Sequence, residues 1–172
     1  NFTQFFWLWT PCNFTDRSLF FHSNDDGEGN PWNRRAVIVS DKGIEQHFDA
    51  ATFGAEWQPG SRRMARMTAD LGSGRSLTLT PSGLVFAMSG LGYTHPIWGH
   101  GLDHGPDIAV AHDRLTDAER GWNNPLAMHI QALVTADLRD GDKSYRGVGV
   151  LERLFVGPHE PTGLLGLMDP AQ

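Results

Sequence analysis

The densest group of chemically useful side chains in this sequence lies between residues 90 and 105. This segment combines His95, His100 and His104 with Asp103 and five glycines. Glycines let a backbone turn sharply and approach other groups closely, which is typical of a site-forming loop rather than a strand. Histidine titrates near neutral pH, so such a loop could supply a general acid or base.

Three interpretations of these histidines stay open. A metal site would use His95, His100 and His104 with Asp103 or Glu152 as a further ligand. The surrounding glycines oppose the helix that would align His100 with His104, and no His-x-His pair is present. The histidines could instead donate hydrogen bonds that pin the loop, or form a metal-free polar patch in a ligand cavity. We predict no metal site and no cofactor.

A second candidate is the acidic residue Glu152. On the strand predicted over residues 145–155, it shares a face with Val148, Val150 and Leu154, because successive side chains of a strand alternate between faces. A carboxylate within such an apolar stripe is either paired, for instance with an arginine of a neighbouring strand, or has a raised pKa. The remaining alternative is that this end of the face is exposed to solvent.

Two further polar residues, His129 and Gln131, lie on the polar face of a predicted strand. In an ordinary β-sandwich that face is exposed to solvent, whereas in a barrel that holds a ligand it would point into the cavity. His159 lies among prolines and glycine and is predicted on a surface loop, and Cys12 is predicted to be a packed thiol rather than a nucleophile.

Short strands and glycine-rich turns must position these groups. Strands are predicted over 2–9, 16–23, 35–40, 44–49, 63–71, 75–80, 84–89, 128–138 and 145–155, with one or two helical turns over 113–120. Turns at 72–74 and 81–83 predict that the strands over 63–71, 75–80 and 84–89 form an antiparallel meander. This pattern, with almost no helix, is typical of an antiparallel sandwich or barrel.

Length and composition limit the number of domains and the classes of function. The chain has 172 residues, enough for one domain. Its 14 basic and 20 acidic residues give a net charge of -6, and no basic run is present, so nucleic-acid binding is excluded. No apolar stretch approaches the ~20 residues of a membrane span. A single cysteine excludes a disulfide framework. The first residue is asparagine, so we expect a processed chain or a segment of a longer one.

Several segments carry a resemblance to a known group of proteins. They are Asn1–Trp9, Leu19–Gly27, Gly92–Gly101, Gly147–Glu152 and Gly157–Pro161. Together they resemble an uncharacterised bacterial family related to the hydroxyneurosporene synthase (carotenoid 1,2-hydratase) and AttH group. The resemblance implies a lipocalin-like fold. It also implies that this chain is the second, C-terminal half of a longer protein with two barrels.

The same resemblance implies an apolar cavity for terpenoid-like or polyketide-like molecules. The reactions of the group are water addition to an isolated double bond, cyclisation and pericyclic rearrangement. In the carotenoid hydratases, Gly-Tyr is followed by an acidic, polar stretch before Trp-Gly. Here Tyr93 and Trp98 keep that frame, but residues 95–97 lack the carboxylic acid, which leaves Asp103 or Glu152 as substitutes.

We therefore predict one all-β, lipocalin-like antiparallel barrel or strongly curved sheet over residues 1–172. The predicted function is a hydratase, cyclase or isomerase acting on a hydrophobic small molecule. The alternatives are a binding protein without turnover and a structural half-domain that packs on a partner barrel. The expected partners are a hydrophobic ligand and a second barrel or a second copy of the chain.

The candidate residues divide by role. Candidate catalytic residues are His100, His104, Asp103 and Glu152, where Glu152 or Asp103 would donate a proton and His100 or His104 would activate water. Candidate ligand-binding residues are Trp7, Trp9, His22, Tyr93, His95, Trp98, His129 and Gln131. The tryptophans could shield a carbocation by cation–π contact.

Overall fold

The computed structural model describes residues 4–87, 97, 102–106, 110, 129–167 and 169–170. Within these ranges nine strands form one antiparallel sheet. The strands are β1 (Phe5–Asn13), β2 (Arg17–Asp25), β3 (Pro31–Ser40), β4 (Gly43–Phe48), β5 (Thr52–Trp57), β6 (Met64–Gly72), β7 (Arg75–Ala87), β8 (His129–Asp140) and β9 (Lys143–Val156). The helical structure of these ranges is one 3-10 turn, Glu160–Thr162. No helix among the described residues has the length and apolar character needed to span a membrane.

The sheet consists of two meanders joined side by side. Its strand order is β4-β3-β2-β1-β9-β8-β7-β6-β5, so every pair of neighbours except β1 and β9 is consecutive in the chain. The antiparallel β1–β9 pair, which we call the seam, runs from Phe5 opposite Val156 to Asn13 opposite Val148. Residues 49–51 connect β4 to β5, which are the two edges of the sheet.

The sheet curls so that its edges approach each other. The ring of Phe53 on edge strand β5 lies 5.6 Å from that of Phe6 on β1 and 6.0 Å from that of Phe21 on β2. Phe6 also stacks on Phe155 of β9 at 4.1 Å. These rings fill the inner face of the curl. The prediction of an all-β, strongly curved antiparallel sheet is confirmed.

The two faces differ in burial, as strand alternation requires. The inner face carries fully buried side chains such as Leu8, Leu19, Leu79 and Ala136. Their chain neighbours form the outer face, which is partly exposed and includes Phe20, 41% accessible. Burial of the inner face supplies the apolar area that stabilises the fold.

Within the described residues 75–87, the prediction of two separate strands was wrong. Instead of two strands joined by a turn over 81–83, β7 is one continuous strand whose two halves both pair with β8. Pro81 lies opposite Val134 and Val85 opposite Ala132, with a bulge between them. Proline cannot donate to the ladder and is tolerated at bulges, and Gly83 adopts a φ of 96°. Proline and glycine are common in both turns and bulges, so the sequence could not distinguish a turn at residues 81–83 from a bulge.

Two other differences concern secondary structure. Strand β5 was missed, because Gly54 and the flanking polar residues weaken its alternating pattern. The helical turns predicted over 113–120 lie outside the described residues.

Candidate functional site

Six candidate residues meet on the outer face and are named the outer-face cluster: Trp7, Trp9, His22, His129, Gln131 and Glu152. Strand register brings them together. Trp9 lies opposite His22 on β2 and opposite Glu152 on β9, while Glu152 lies opposite Gln131 on β8. These residues alternate with the buried inner-face positions of the same strands, so they lie on the opposite side of the sheet from the core.

Glu152 is the centre of the cluster. The Nε2 of Gln131 donates a 2.6 Å hydrogen bond to its Oε2. The Nε2 of His129 lies 3.4 Å from its Oε1, with the two side chains 10% and 16% exposed. Trp7 on β1 also adjoins this carboxylate and lowers its pKa. Side chains from β1 and β8 therefore surround one carboxylate.

These contacts set the protonation of Glu152. The proximity of His129 lowers its pKa most, burial opposes that effect, and Gln131 and Trp7 lower the pKa further. Of the sequence-based alternatives for this carboxylate, the structure shows a paired group whose partner is histidine rather than arginine. A carboxylate with a lowered pKa is ionised at neutral pH and accepts hydrogen bonds. The predicted role of Glu152 as a proton donor stays a prediction.

Aromatic rings adjoin this pair. Trp7 meets His22 edge-on at 4.4 Å and lies parallel to Phe5 at 6.3 Å. Burial lowers the pKa of His22, although a hydrogen bond with the Leu8 backbone opposes the shift. His22 is therefore a neutral imidazole at physiological pH, able to donate or accept a hydrogen bond.

The predicted loop residues are only partly described. Asp103 and His104 are exposed, and Oδ1 of Asp103 accepts a 2.8 Å hydrogen bond from the backbone N–H of Gly105, as in an Asx turn. Tyr93, His95, Trp98 and His100 lie outside the described residues. A meeting of this loop with the outer-face cluster stays a prediction.

A second polar group, around Asp25, was not predicted. Asp25 is fully buried on the inner face of β2. Its Oδ1 accepts a 2.6 Å hydrogen bond from Ser23, and its Oδ2 accepts one from Arg34 and lies 3.4 Å from Nε2 of His159. Asp25 shares its strand face with Phe21, and that alternation was the available signal.

His159 corrects a further prediction, since it is 1% exposed rather than on the surface. Its ring stacks on Phe6 at 3.7 Å, and its Nδ1 lies 2.9 Å from the hydroxyl of Thr162. These contacts hold the segment after β9 against the sheet. Ser23, Asp25 and His159 do not form a nucleophile relay, because the Ser23 hydroxyl donates to Asp25 rather than to the imidazole.

Two other predicted chemistries concern Cys12 and metals. Cys12 is buried, and burial raises the pKa of its thiol to about 11 despite a hydrogen bond with Thr10. This environment is that of a packed thiol. Among the residues that the structure describes, no group of three or more His, Cys, Asp or Glu side chains could hold a metal ion.

Comparison with known proteins adds a family and a fold. A family model described as a family of unknown function (DUF8625) matches residues 1–165. No curated protein matches the sequence. Kievitone hydratase from Nectria haematococca has a similar structure, with a TM-score of 0.52 and 11% identity over 88% of this chain and 40% of that one. An AttH protein from Nitrosomonas europaea gives a TM-score of 0.47 and 16% identity over 85% of this chain and 38% of that one.

These likenesses concern architecture. The lipocalin-like fold expected from the sequence is confirmed, while the specific link to hydroxyneurosporene synthase stays a prediction. The chain spans about 40% of the length of the kievitone hydratase that it resembles.

Proposed function

The chain belongs to DUF8625, a family of unknown function, and we propose that it carries a hydratase-type acid–base site for a hydrophobic small molecule. The observation that carries this proposal is the His129–Glu152 pair, half-enclosed on the outer face beside Trp7 and Trp9. The inner face already supplies the core, so stability of the fold does not require a histidine–carboxylate pair on the outer side.

The chemistry follows from the protonation of the pair. Adding water to a double bond places a proton from an acid on one carbon and the oxygen of a water molecule on the other. That oxygen keeps one of its two protons, and the other must pass to a base. Glu152, with its lowered pKa, is suited to accept a proton, and His129 is suited to exchange one with it. A proton on His129 passes to one alkene carbon, and Glu152 takes a proton from the water whose oxygen bonds the other carbon. That proton then passes from Glu152 to His129, which returns the pair to its starting state.

The surroundings support a terpenoid-like or polyketide-like substrate. Trp7 and Trp9 offer aromatic faces that stabilise a cation formed on protonation of an alkene. His100, His104 and Asp103 stay candidates to complete the acid–base set, and Tyr93, His95 and Trp98 to line it. Kievitone hydratase shows that a protein of this fold can be a hydratase, which makes hydration the first reaction to test.

Glu152→Gln tests this site. The amide keeps the shape of the side chain but cannot accept a proton, so hydration should fall by about 100-fold or more. The purified chain would be incubated in heavy-oxygen water with kievitone and with acyclic terpenoid alkenes, and the product carrying one added water would be measured by mass spectrometry. A thermal melt would show that the variant is folded.

Asp137→Asn is the matched control, because this carboxylate is also on the outer face of β8 but is 50% exposed beside Arg146. It should hydrate at the rate of the unmodified chain. Equal product from the Glu152 variant and the unmodified chain, or no hydration of any probe, would contradict the proposal.

A second function is favoured by a different observation. The outer face also exposes apolar side chains, with Phe20, Leu133 and Val148 accessible by 41%, 46% and 67%. Such a surface suits packing against a second barrel or a second copy of the chain. This second function is the alternative of a structural half-domain that packs on a partner barrel.

Self-association would distinguish the second function. If the face binds another copy, sedimentation should show concentration-dependent association that weakens in Leu133→Gln. The control is Ile44→Gln, an equally apolar, 74% exposed residue on edge strand β4. If the chain is a monomer at every concentration, the face does not bind a second copy, and a second barrel is the remaining partner. If the chain associates equally in both variants, the outer face has no role in that association.

A further inference from the structure

A cavity of about 230 Å³ opens on the inner face where two neighbouring strands separate. The β6–β7 ladder reaches Met67 opposite Leu79. Past that pair, β6 continues along β5 while β7 continues along β8. Met64 of β6 and Pro81 of β7 both border the cavity, so it lies where the two strands diverge.

The bulge of β7 enlarges this opening. Residues 82–84 of β7 oppose Leu133 of β8 alone, so they leave the regular ladder. Gly83 within the bulge and Ala132 on β8 border the cavity, and neither brings a side chain large enough to fill it. Bulges recur next to functional sites, where they interrupt pairing and redirect side chains. The cavity is therefore a product of the local backbone geometry.

The wall of the cavity is mostly apolar and belongs to the core side of the sheet. Its larger apolar side chains are Met64, Val85, Ile130 and Leu151. Ile130 and Leu151 alternate along their strands with the residues of the outer-face cluster, so the cavity and that cluster lie on opposite sides of the sheet. The cavity is a separate feature from the proposed hydratase site.

The polar groups at the cavity favour a neutral ligand. Arg63 and Arg153 border it, but each already has a partner, so neither supplies a free cation for a charged ligand. Moving an anion out of water without a matching charge is costly. Gln58 also borders the cavity, and its amide can donate a hydrogen bond to a hydroxyl or carbonyl and accept one from a hydroxyl.

The volume of the cavity limits the size of the ligand. An apolar protein cavity of about 150 Å³ binds benzene, whereas pockets for drug-sized molecules occupy roughly 300–1,000 Å³. The 230 Å³ of this cavity lies between these values. It therefore suits a single ring with a few further carbon atoms and excludes a long terpenoid or polyketide chain.

We propose that this cavity binds a small neutral ring compound, either a hydrocarbon or one that carries a single hydroxyl or carbonyl group. The ring packs against Ile130, Ala132 and Leu151, and a polar substituent faces Gln58. This assignment goes beyond the proposed hydratase function, because it uses none of the outer-face residues and a different class of ligand.

Titration with toluene, benzyl alcohol and benzoate, followed by methyl NMR, tests this proposal. Toluene and benzyl alcohol should each shift the Ile130 methyl signals to saturation and leave those of Ile38, a buried core residue on β3, unchanged. Benzoate should bind at least about ten-fold more weakly than toluene, because its charge must leave water. Absence of a saturable Ile130 shift with toluene and benzyl alcohol, or benzoate binding as tightly as toluene, would overturn the proposal.

Variants that fill the cavity locate the ligand. Ala132→Leu and Ala65→Leu each add apolar atoms to a residue that borders the cavity, and each should weaken toluene binding about ten-fold or more, because the added atoms occupy the space of the ring. Ala65 is exposed on β6, so its variant keeps the test valid if Ala132→Leu does not fold. Thr135→Leu, which adds apolar bulk to the outer face of β8, is the control and should bind normally.

The outcome is independent of the hydratase proposal. Glu152→Gln should bind toluene as the unmodified chain does, so a failure of one proposal is distinguishable from a failure of the other. Unchanged toluene affinity in both Ala132→Leu and Ala65→Leu would show that the ring binds elsewhere and would overturn the assignment.

Discussion

Replacing Asp25 with alanine should lower the free energy of unfolding by about 3–5 kcal/mol, the cost of breaking a buried ion pair by removing one partner. Asp25 is fully buried and accepts hydrogen bonds from Ser23 and Arg34, with His159 facing its second oxygen. Without the carboxylate, these donors stay buried with no acceptor at that position. Urea unfolding of the two proteins measures the difference.

The pH dependence of that difference has a definite sign. Burial alone would raise the pKa of Asp25, but the neighbouring His159, the hydrogen bond from Ser23 and the charge of Arg34 outweigh it and lower the pKa. A carboxylate with a lowered folded-state pKa stabilises the fold above its unfolded pKa of about 3.9, and this stabilisation is lost as the pH falls through the folded value. The gap between Asp25→Ala and the unmodified chain should therefore shrink below about pH 4.

The control for Asp25 is Asp137→Ala, which alters an exposed carboxylate beside Arg146. Its unfolding midpoint should barely change, because exposed ion pairs contribute little. Equal losses in the two variants would contradict the role given to the buried network.

Gly147→Val should destabilise the chain by about 3 kcal/mol, at the upper end of the usual cost of overpacking. A Cβ at Gly147 would lie 2.1 Å from the carbonyl oxygen of Asn13 and 2.8 Å from Cδ1 of Phe14. Backbone must move to relieve the first contact, and that backbone is β1 at the seam. The expected result is a lower thermal midpoint and weaker protection of β1 amides from hydrogen exchange.

Gly54→Ala is the matched glycine control. It lies on edge strand β5, where a Cβ would be 3.4 Å from the hydroxyl oxygen of Thr68 and the backbone needs no positive φ. Alanine there should leave stability unchanged or raise it by about 0.5 kcal/mol. If both glycine variants were equally stable, close approach at the seam would not be what requires glycine at position 147.

Local signals predicted most of the strands. Alternation identified β8 from Ile130 to Leu138, and the turn before β9 was visible as Asp140, Gly141 and Asp142, with Gly141 at a φ of 59°. What local signals could not supply is the partner of a segment. His159 has the sequence surroundings of an exposed loop, and its burial depends on Phe6, which is far away in the chain.

The candidate site also shows what local sequence signals could and could not predict. Glu152 was recognisable as a carboxylate on an apolar stripe. Its neighbour Gln131 could have been found by counting back from the turn at Gly141, because β8 and β9 pair without a shift from Asp140 opposite Lys143 to His129 opposite Leu154. Alternation assigns two faces to a strand but does not say which one faces the core, so the outer position of the cluster needed coordinates.

The seam also implies an order of events as the chain folds. The β1–β4 and β5–β9 meanders pair only strands that are consecutive in the chain, so each can form early from local hairpins. The β1–β9 ladder joins segments as distant as Phe5 and Val156, and contacts of such long range form slowly. His129 and Glu152 both belong to the second meander, so we expect them to meet early. Trp7 and Trp9 belong to the first meander, so we expect them to reach the His129–Glu152 pair only when the seam forms.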